Sequence, residues 1–186
     1  MYIAKLCFSG LLCAAVGATL GCSSSPEARV MEGSGHEVLK ALTGPVDVPK
    51  IHQLVYVPAY SEIYWGFDRQ IADLAVTLSI RNVNAKVPIV VHSAKYFNSD
   101  GKEVQELVPV ASQLGPLASA DFVIQRRDSS GGTGANFLVE WSSSKDVDEP
   151  VIEAVMLGQH GNAGISFTGM GRVLPKASAE LASPTR

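Results

Sequence analysis

Three thiols are available in this chain, Cys7, Cys13 and Cys22, and all of them lie in its first 22 residues. Cys22 is the one whose surroundings point to chemistry. It follows Gly21, at the end of an uncharged apolar run from Leu6 to Leu20 that is preceded by a single basic residue, Lys5. A basic start, an apolar stretch too short to span a bilayer comfortably and a small residue at the boundary is the layout of a secretory signal peptide. Cys7 and Cys13 lie inside the apolar run, and Leu12 precedes Cys13, so both are poorer acceptors.

Ala18-Thr19-Leu20-Gly21-Cys22 resembles a bacterial lipobox, in which the thiol receives a diacylglycerol and becomes the new N-terminus after cleavage. The other readings are an ordinary leader with a coincidental cysteine and an uncleaved anchor. Lipid on Cys22 would hold the protein on a membrane, since each buried methylene contributes about 0.8 kcal/mol. Ser23 after the cysteine, in place of Asp, matches the pattern exported to the outer membrane of a double-membraned bacterium. The expected location is therefore the cell envelope, on the periplasmic face of the outer membrane. Ser23-Ser24-Ser25-Pro26 then begins a tether.

Other candidate chemistry is thin. His36, His52, His92 and His160 share no metal-ligand spacing, and surface positions are expected for His92 and His160. Gly131-Gly132-Thr133-Gly134 lacks the Lys-Ser/Thr of a phosphate-binding loop and leads into a strand pattern, so a folded inter-strand loop is the better reading. Arg126-Arg127 before it could form a small basic patch. Asp146-Val147-Asp148-Glu149 spaces carboxylates like part of a calcium loop but is cut off by Pro150. Glu140 and Glu153, if turned inward, would need a partner such as Arg81 or Arg172. No Ser sits in a nucleophile elbow, and no cofactor or catalytic residue is expected.

Aromatic residues form the strongest binding signal. Tyr56, Tyr60, Tyr64, Trp65 and Phe67 crowd a segment broken by Pro58 and Gly66. They could build a ledge for a sugar, peptide or partner, or plug one end of a core; burial habits favour the plug. Tyr56, Tyr60, Tyr64 and Trp65, with Arg81 and Asn136, make up the candidate binding set.

The elements that would carry these residues are strands. Ala72, Leu74, Val76, Leu78 and Ile80 alternate with Asp73, Ala75, Thr77, Ser79 and Arg81, the period of a strand with one wet face. Further runs at 87–97, 102–108, 120–127, 136–142, 151–157 and 165–168 are separated by turn residues, Asp100-Gly101 being the clearest hairpin signal. Seven or eight strands without a convincing amphipathic helix predict an all-β domain, a single antiparallel sandwich of immunoglobulin-like architecture, with a small barrel as the rival. Trp141, in phase with Phe137 and Val139, is the expected anchor between sheets. The boundaries read as a signal peptide over 1–21, a spacer over 22–50, the sandwich over 51–174 and a disordered tail over 175–186.

Charge adds only an exclusion. The chain carries 15 basic against 18 acidic residues, a net of −3, which does not favour nucleic acid. With its cysteines all ahead of residue 23, the domain is expected to fold without a disulfide.

Four segments, Tyr56 to Ser61, Thr77 to Asn82, Gly132 to Trp141 and Ile152 to Met156, resemble signatures of a bacterial family built on domain of unknown function 3124. That resemblance spans about residues 50–174 and implies a short exported protein, often with a lipobox. It transfers no activity. Where it implies a His between Ser61 and Ile63, this chain has Glu62. The expected function is that of a non-catalytic envelope lipoprotein, tethered to the membrane through Cys22 and binding an envelope protein or cell-wall component. A small-molecule or metal-binding periplasmic module, using the aromatic segment and the Gly131 loop, is the alternative.

Overall fold

A computed structural model describes residues 30–31, 35–66, 70–126, 128 and 130–182. Cys22 and Phe67 lie outside the described residues. The strands are β1 (Val30–Met31), β2 (Lys40–Ala41), β3 (Ile51–Pro58), β4 (Glu62–Trp65), β5 (Gln70–Arg81), β6 (Ile89–Phe97) and β7 (Glu103–Glu106). They continue with β8 (Ser112–Leu114), β9 (Ser119–Ile124), β10 (Asn136–Ser143), β11 (Val151–His160), β12 (Ala163–Met170) and β13 (Arg172–Val173). Among the described residues there are also two α-helices, α1 (Gly35–Val38) and α2 (Pro175–Ala182), and a 3-10 turn at Gly132–Gly134.

The strands form two antiparallel sheets. In the first the order is β1-β9-β5-β11-β12, with β4 paired to the start of β5. In the second it is β13-β3-β10-β6-β8-β2, with β7 on β6. β5 keeps the alternation that its sequence predicts: Ala72, Leu74, Val76, Leu78 and Ile80 are buried, and Arg81 is exposed. Val55, Val57, Val91, Tyr96, Phe137, Val139 and Trp141 close the core from the other sheet, and Trp141 is fully buried. An all-β sandwich is thus the architecture, and burying these side chains between two sheets drives it.

Two stretches outside the central sandwich also carry regular structure. Within the stretch read as spacer, β1 pairs with β9 and β2 with β8, so this segment contributes a strand to each sheet. α2 lies in the stretch read as a tail. The Ser178 hydroxyl donates to Leu174 O at 2.8 Å and accepts from Leu54 N at 2.9 Å, which fastens the helix to β3. A local sequence pattern gave no hint of that bond, because its partners are 124 residues apart.

The register divides the sandwich into two ends. Pro58, Asn136 and Phe97 stand side by side in the second sheet, so the connections after β3, before β10 and after β6 gather at one end. The β11–β12 turn joins them, because Trp65 at the end of β4 stacks on His160 with ring centroids 5.4 Å apart. Arg81 sits at the opposite end with the Asn82 turn, which bonds Leu114 O and Gly115 O.

Candidate functional site

The end that holds the β3–β4, β6–β7 and β9–β10 connections is built as one cross-bonded platform. Gly132 O accepts from Ser61 N and from Ser61 Oγ, both at 3.2 Å, and Ala59 N donates to Ala135 O at 2.9 Å. Ser99 N and Oγ both donate to Gly131 O, at 2.9 and 3.0 Å, while Ser99 Oγ accepts from Gly134 N at 2.8 Å. Three loops far apart in sequence therefore satisfy one another's backbone groups, which removes freedom that a lone loop would keep. Arg126 Nη2 donates to Gln159 O at 2.7 Å and ties in the β11 strand. Arg126 is thereby committed, and Arg127 lies outside the described residues.

Glycines make this packing possible. Gly131 has an ordinary right-handed backbone, φ −83° and ψ −38°, so its requirement is space. A Cβ there would overlap the Tyr96 hydroxyl and stand 2.8 Å from Tyr96 Cζ and 2.9 Å from Ala135 Cβ. Gly132 to Gly134 form one short 3-10 turn that runs into β10, in keeping with a folded loop in place of a phosphate cradle.

Beneath the platform are polar atoms without partners. Tyr96 OH, Asp128 Oδ2 and Ser130 Oγ are buried and make no hydrogen bond among the described residues. The loop holds them near one another: Asp128 Oδ1 accepts from Ser130 N at 3.0 Å, and Ser130 precedes the glycine that abuts Tyr96. Ser61 Oγ neighbours the Tyr96 hydroxyl, but the pair is not aligned into a bond and the Ser61 proton goes to Gly132 O. Burial pushes the Tyr96 phenol up to about 12, with the Asp128 charge acting in the same direction against Ser61. At neutral pH Tyr96 is a neutral hydroxyl. All three oxygens are shut off from solvent, so they belong to the interior under the platform and not to its surface.

The aromatic residues do not form one ledge. Tyr60, between the platform residues Ala59 and Ser61, is 37% exposed, with its ring edge-on to Phe167 of β12 at 5.7 Å. Trp65 is half-buried against His160. Tyr64, 65% exposed, lies on the outer face of the first sheet, and Tyr56 on the outer face of the second. Asn136 is half-buried at the platform, beginning β10. Arg81 is at the far end, where it faces Glu153 at 3.5 Å and bonds Ser79 at 3.0 Å. The candidate set is therefore split: Tyr60, Trp65 and Asn136 share the loop end, while Tyr56, Tyr64 and Arg81 lie elsewhere. A one-residue step along a strand reverses the face of a side chain, and this is what separates Tyr64 from Trp65.

Arg81 is the partner of Glu153, a structural ion pair. Glu140 faces outward and bonds His52 Nε2 at 2.7 Å. His52 and His92 stack with centroids 5.0 Å apart, and His92 Nε2 bonds Ser142 Oγ at 2.7 Å. Sequence reasoning missed this cluster, since its pairs are 88 and 50 residues apart. His92 is half-buried, where a surface position was expected; a register shift between Glu140 and Trp141 in the β10–β6 pairing sets it beside Ser142. Ser142 is 1% exposed, so its hydroxyl is not presented to a substrate. The acidic turn is bonded as well: Asn84 holds Asp148 through both backbone groups and Gln53 donates to Glu149. Among the described residues no three His, Cys, Asp or Glu side chains are grouped to hold a metal ion. No helix among them is long and apolar enough to cross a membrane.

A family model described as a protein of unknown function, DUF3124, matches residues 52–174, which takes in the platform and every strand but β1 and β2, β3 from its second residue. No curated protein matches the chain. Among solved structures, the crystal structure of Thermotoga maritima 1070 is similar at 15% identity, covering 66% of this chain and 92% of that one with a TM-score of 0.35.

Proposed function

We propose that this chain, which belongs to the DUF3124 family, is an envelope lipoprotein that acts as a non-catalytic binding module and presents the loop end of its sandwich to a protein or cell-wall partner. Cys22 carries the lipid, the residues after it form the tether, and the periplasmic face of the outer membrane is the site of action. The observation that carries the binding part is the platform itself. Three connections are locked together by backbone and hydroxyl hydrogen bonds, with Tyr60, 37% exposed, between two of the residues that make them, Ala59 and Ser61. Such a surface is rigid before binding, so little ordering cost is added on association. Its exposed aromatic residue offers contact area to such a partner.

The tether is supported by the sequence around Cys22 and tested by mass spectrometry of the mature protein taken from membranes. The expected result is an N-terminus at Cys22 bearing diacylglycerol, with Cys22→Ser left unprocessed. An unmodified Cys22, or a start site elsewhere, would remove the lipoprotein part. Purified domain that turned over esters, glycans or peptides, and lost this on change of one platform residue, would remove the non-catalytic part.

A further inference from the structure

The edges of the two sheets are not alike. β1, β2 and β13 end their sheets with two residues each, and the side strands β4 and β7 have four. β12 is the exception. It is eight residues long, terminates the first sheet and, among the described residues, pairs only with β11. Its sequence, Ala163-Gly164-Ile165-Ser166-Phe167-Thr168-Gly169-Met170, contains no charge and no proline, the two usual devices that keep an edge from pairing.

The phase of its hydrogen bonds follows from the ladder. Gly171 N donates to Ile152 O at 2.8 Å, one step beyond the Met170–Glu153 pair. Bonded and non-bonded pairs alternate in an antiparallel ladder, so the odd residues of β12 bond β11 and the even ones turn outward. Gly164, Ser166, Thr168 and Met170 thus direct their N–H and C=O groups to the free side, and no hydrogen bond among the described residues engages them. All four are exposed, on the outer face of the sheet.

We infer that β12 is a self-pairing edge, through which two copies of this chain join antiparallel about a two-fold axis at Phe167. In that register Ser166 meets the partner's Thr168, and Met170 meets the partner's Gly164. Two features of the strand favour a second copy as the occupant. An uncharged edge brings no like charges together across the axis, so it is its own complement. Met170 is 60% exposed, and the space where a Gly164 Cβ would point is open, so the exposed thioether of one copy fits the gap of the other. Leu157, also 60% exposed and directly across from Ser166, flanks the seam. The two six-stranded sheets become one continuous sheet. This inference rests on the strand geometry and not on the lipid or the binding platform.

The test uses the protein extracted from membranes in mild detergent, with its mass read by size exclusion and light scattering. A dimer is expected. Ser166→Lys/Thr168→Lys sets lysines against each other twice across the axis while leaving the β11 ladder intact, and should weaken the dimer about tenfold or more. Far-UV circular dichroism and the unfolding midpoint of the Lys variant should match the native protein. Gly164→Val, which fills the gap for Met170, should weaken the dimer as well. A monomer at all concentrations, or a dimer that survives the two lysines, overturns the edge; a dimer indifferent to Gly164→Val overturns the register.

Discussion

The hydroxyl of Tyr96 occupies the space that a side chain at position 131 would need, so Gly131 and Tyr96 are fitted to each other at the base of the platform. Tyr96 cannot easily yield. It is fully buried, and its ring lies on Phe137 at 5.0 Å.

Gly131→Ala should therefore destabilise the fold by about 1–3 kcal/mol, the usual range for overpacking. Backbone strain is not involved, because φ at Gly131 is −83°. Tyr96→Phe should be neutral or slightly stabilising, since it removes a buried hydroxyl that makes no hydrogen bond among the described residues. In the double variant the cost of the alanine should fall. Denaturant unfolding of the four proteins checks this, and a Gly131→Ala variant within about 0.5 kcal/mol of the native protein would contradict it.

At the other end, Asn82 is 2% exposed and holds three carbonyls, donating to Val87 O at 2.9 Å, Gly115 O at 3.0 Å and Leu114 O at 3.3 Å. Its own oxygen accepts from Asn84 N and Nδ2. Asn82→Ala leaves those groups unpaired and should cost about 2–3 kcal/mol. Asn82→Asp keeps the shape but sets a carboxylate against the carbonyl oxygens, so it should cost more than the alanine. Equal or smaller loss for Asp, measured by thermal unfolding, would show that the side-chain amide is not the clamp.

His92 links stability to pH. Burial lowers its pKa from 6.5, with nearby His52 acting in the same direction and Glu140 opposing. The unfolded chain therefore binds more protons than the folded one in the interval below 6.5, and stability rises with pH through that interval. The contribution is complete above 6.5 and is lost as pH falls toward the folded value. Unfolding free energy followed from pH 7.5 down to 5 should decline less steeply in His92→Asn than in the native protein. Identical slopes would assign the decline to other groups.

The period-two pattern of residues 72–81 was enough to place β5 with its inward and outward faces, and Trp141 could be put in the core from its phase with Phe137 and Val139. Those are local facts. Arg81 and Arg172 are the partners the sequence suggests for Glu140 and Glu153 if they turn inward; Arg81 does face Glu153, but on the outer face of the sheet, and Glu140 takes His52. The platform is less legible: the Tyr56–Phe67 segment and the Gly131 loop stand out in the sequence, but Ser61, Tyr96 and Ser99 meet the glycine loop over separations of 32 to 71 residues. Sequence periodicity fixes which way a side chain points along one strand, and says nothing of which strands are neighbours. The His52–Glu140 bond was hidden for the same reason, and the short strands β4 and β8 have too few residues to show a period.

The central claim is that a membrane-tethered sandwich binds with its loop end. Photoreactive residues placed singly at Tyr60, at Trp65 and at Arg81 in intact cells test it most directly, with adducts identified by mass. The account predicts heavier adducts with an envelope partner from positions 60 and 65, absent from position 81 at the opposite end. Adducts from position 81 alone, or equally from both ends, would contradict it.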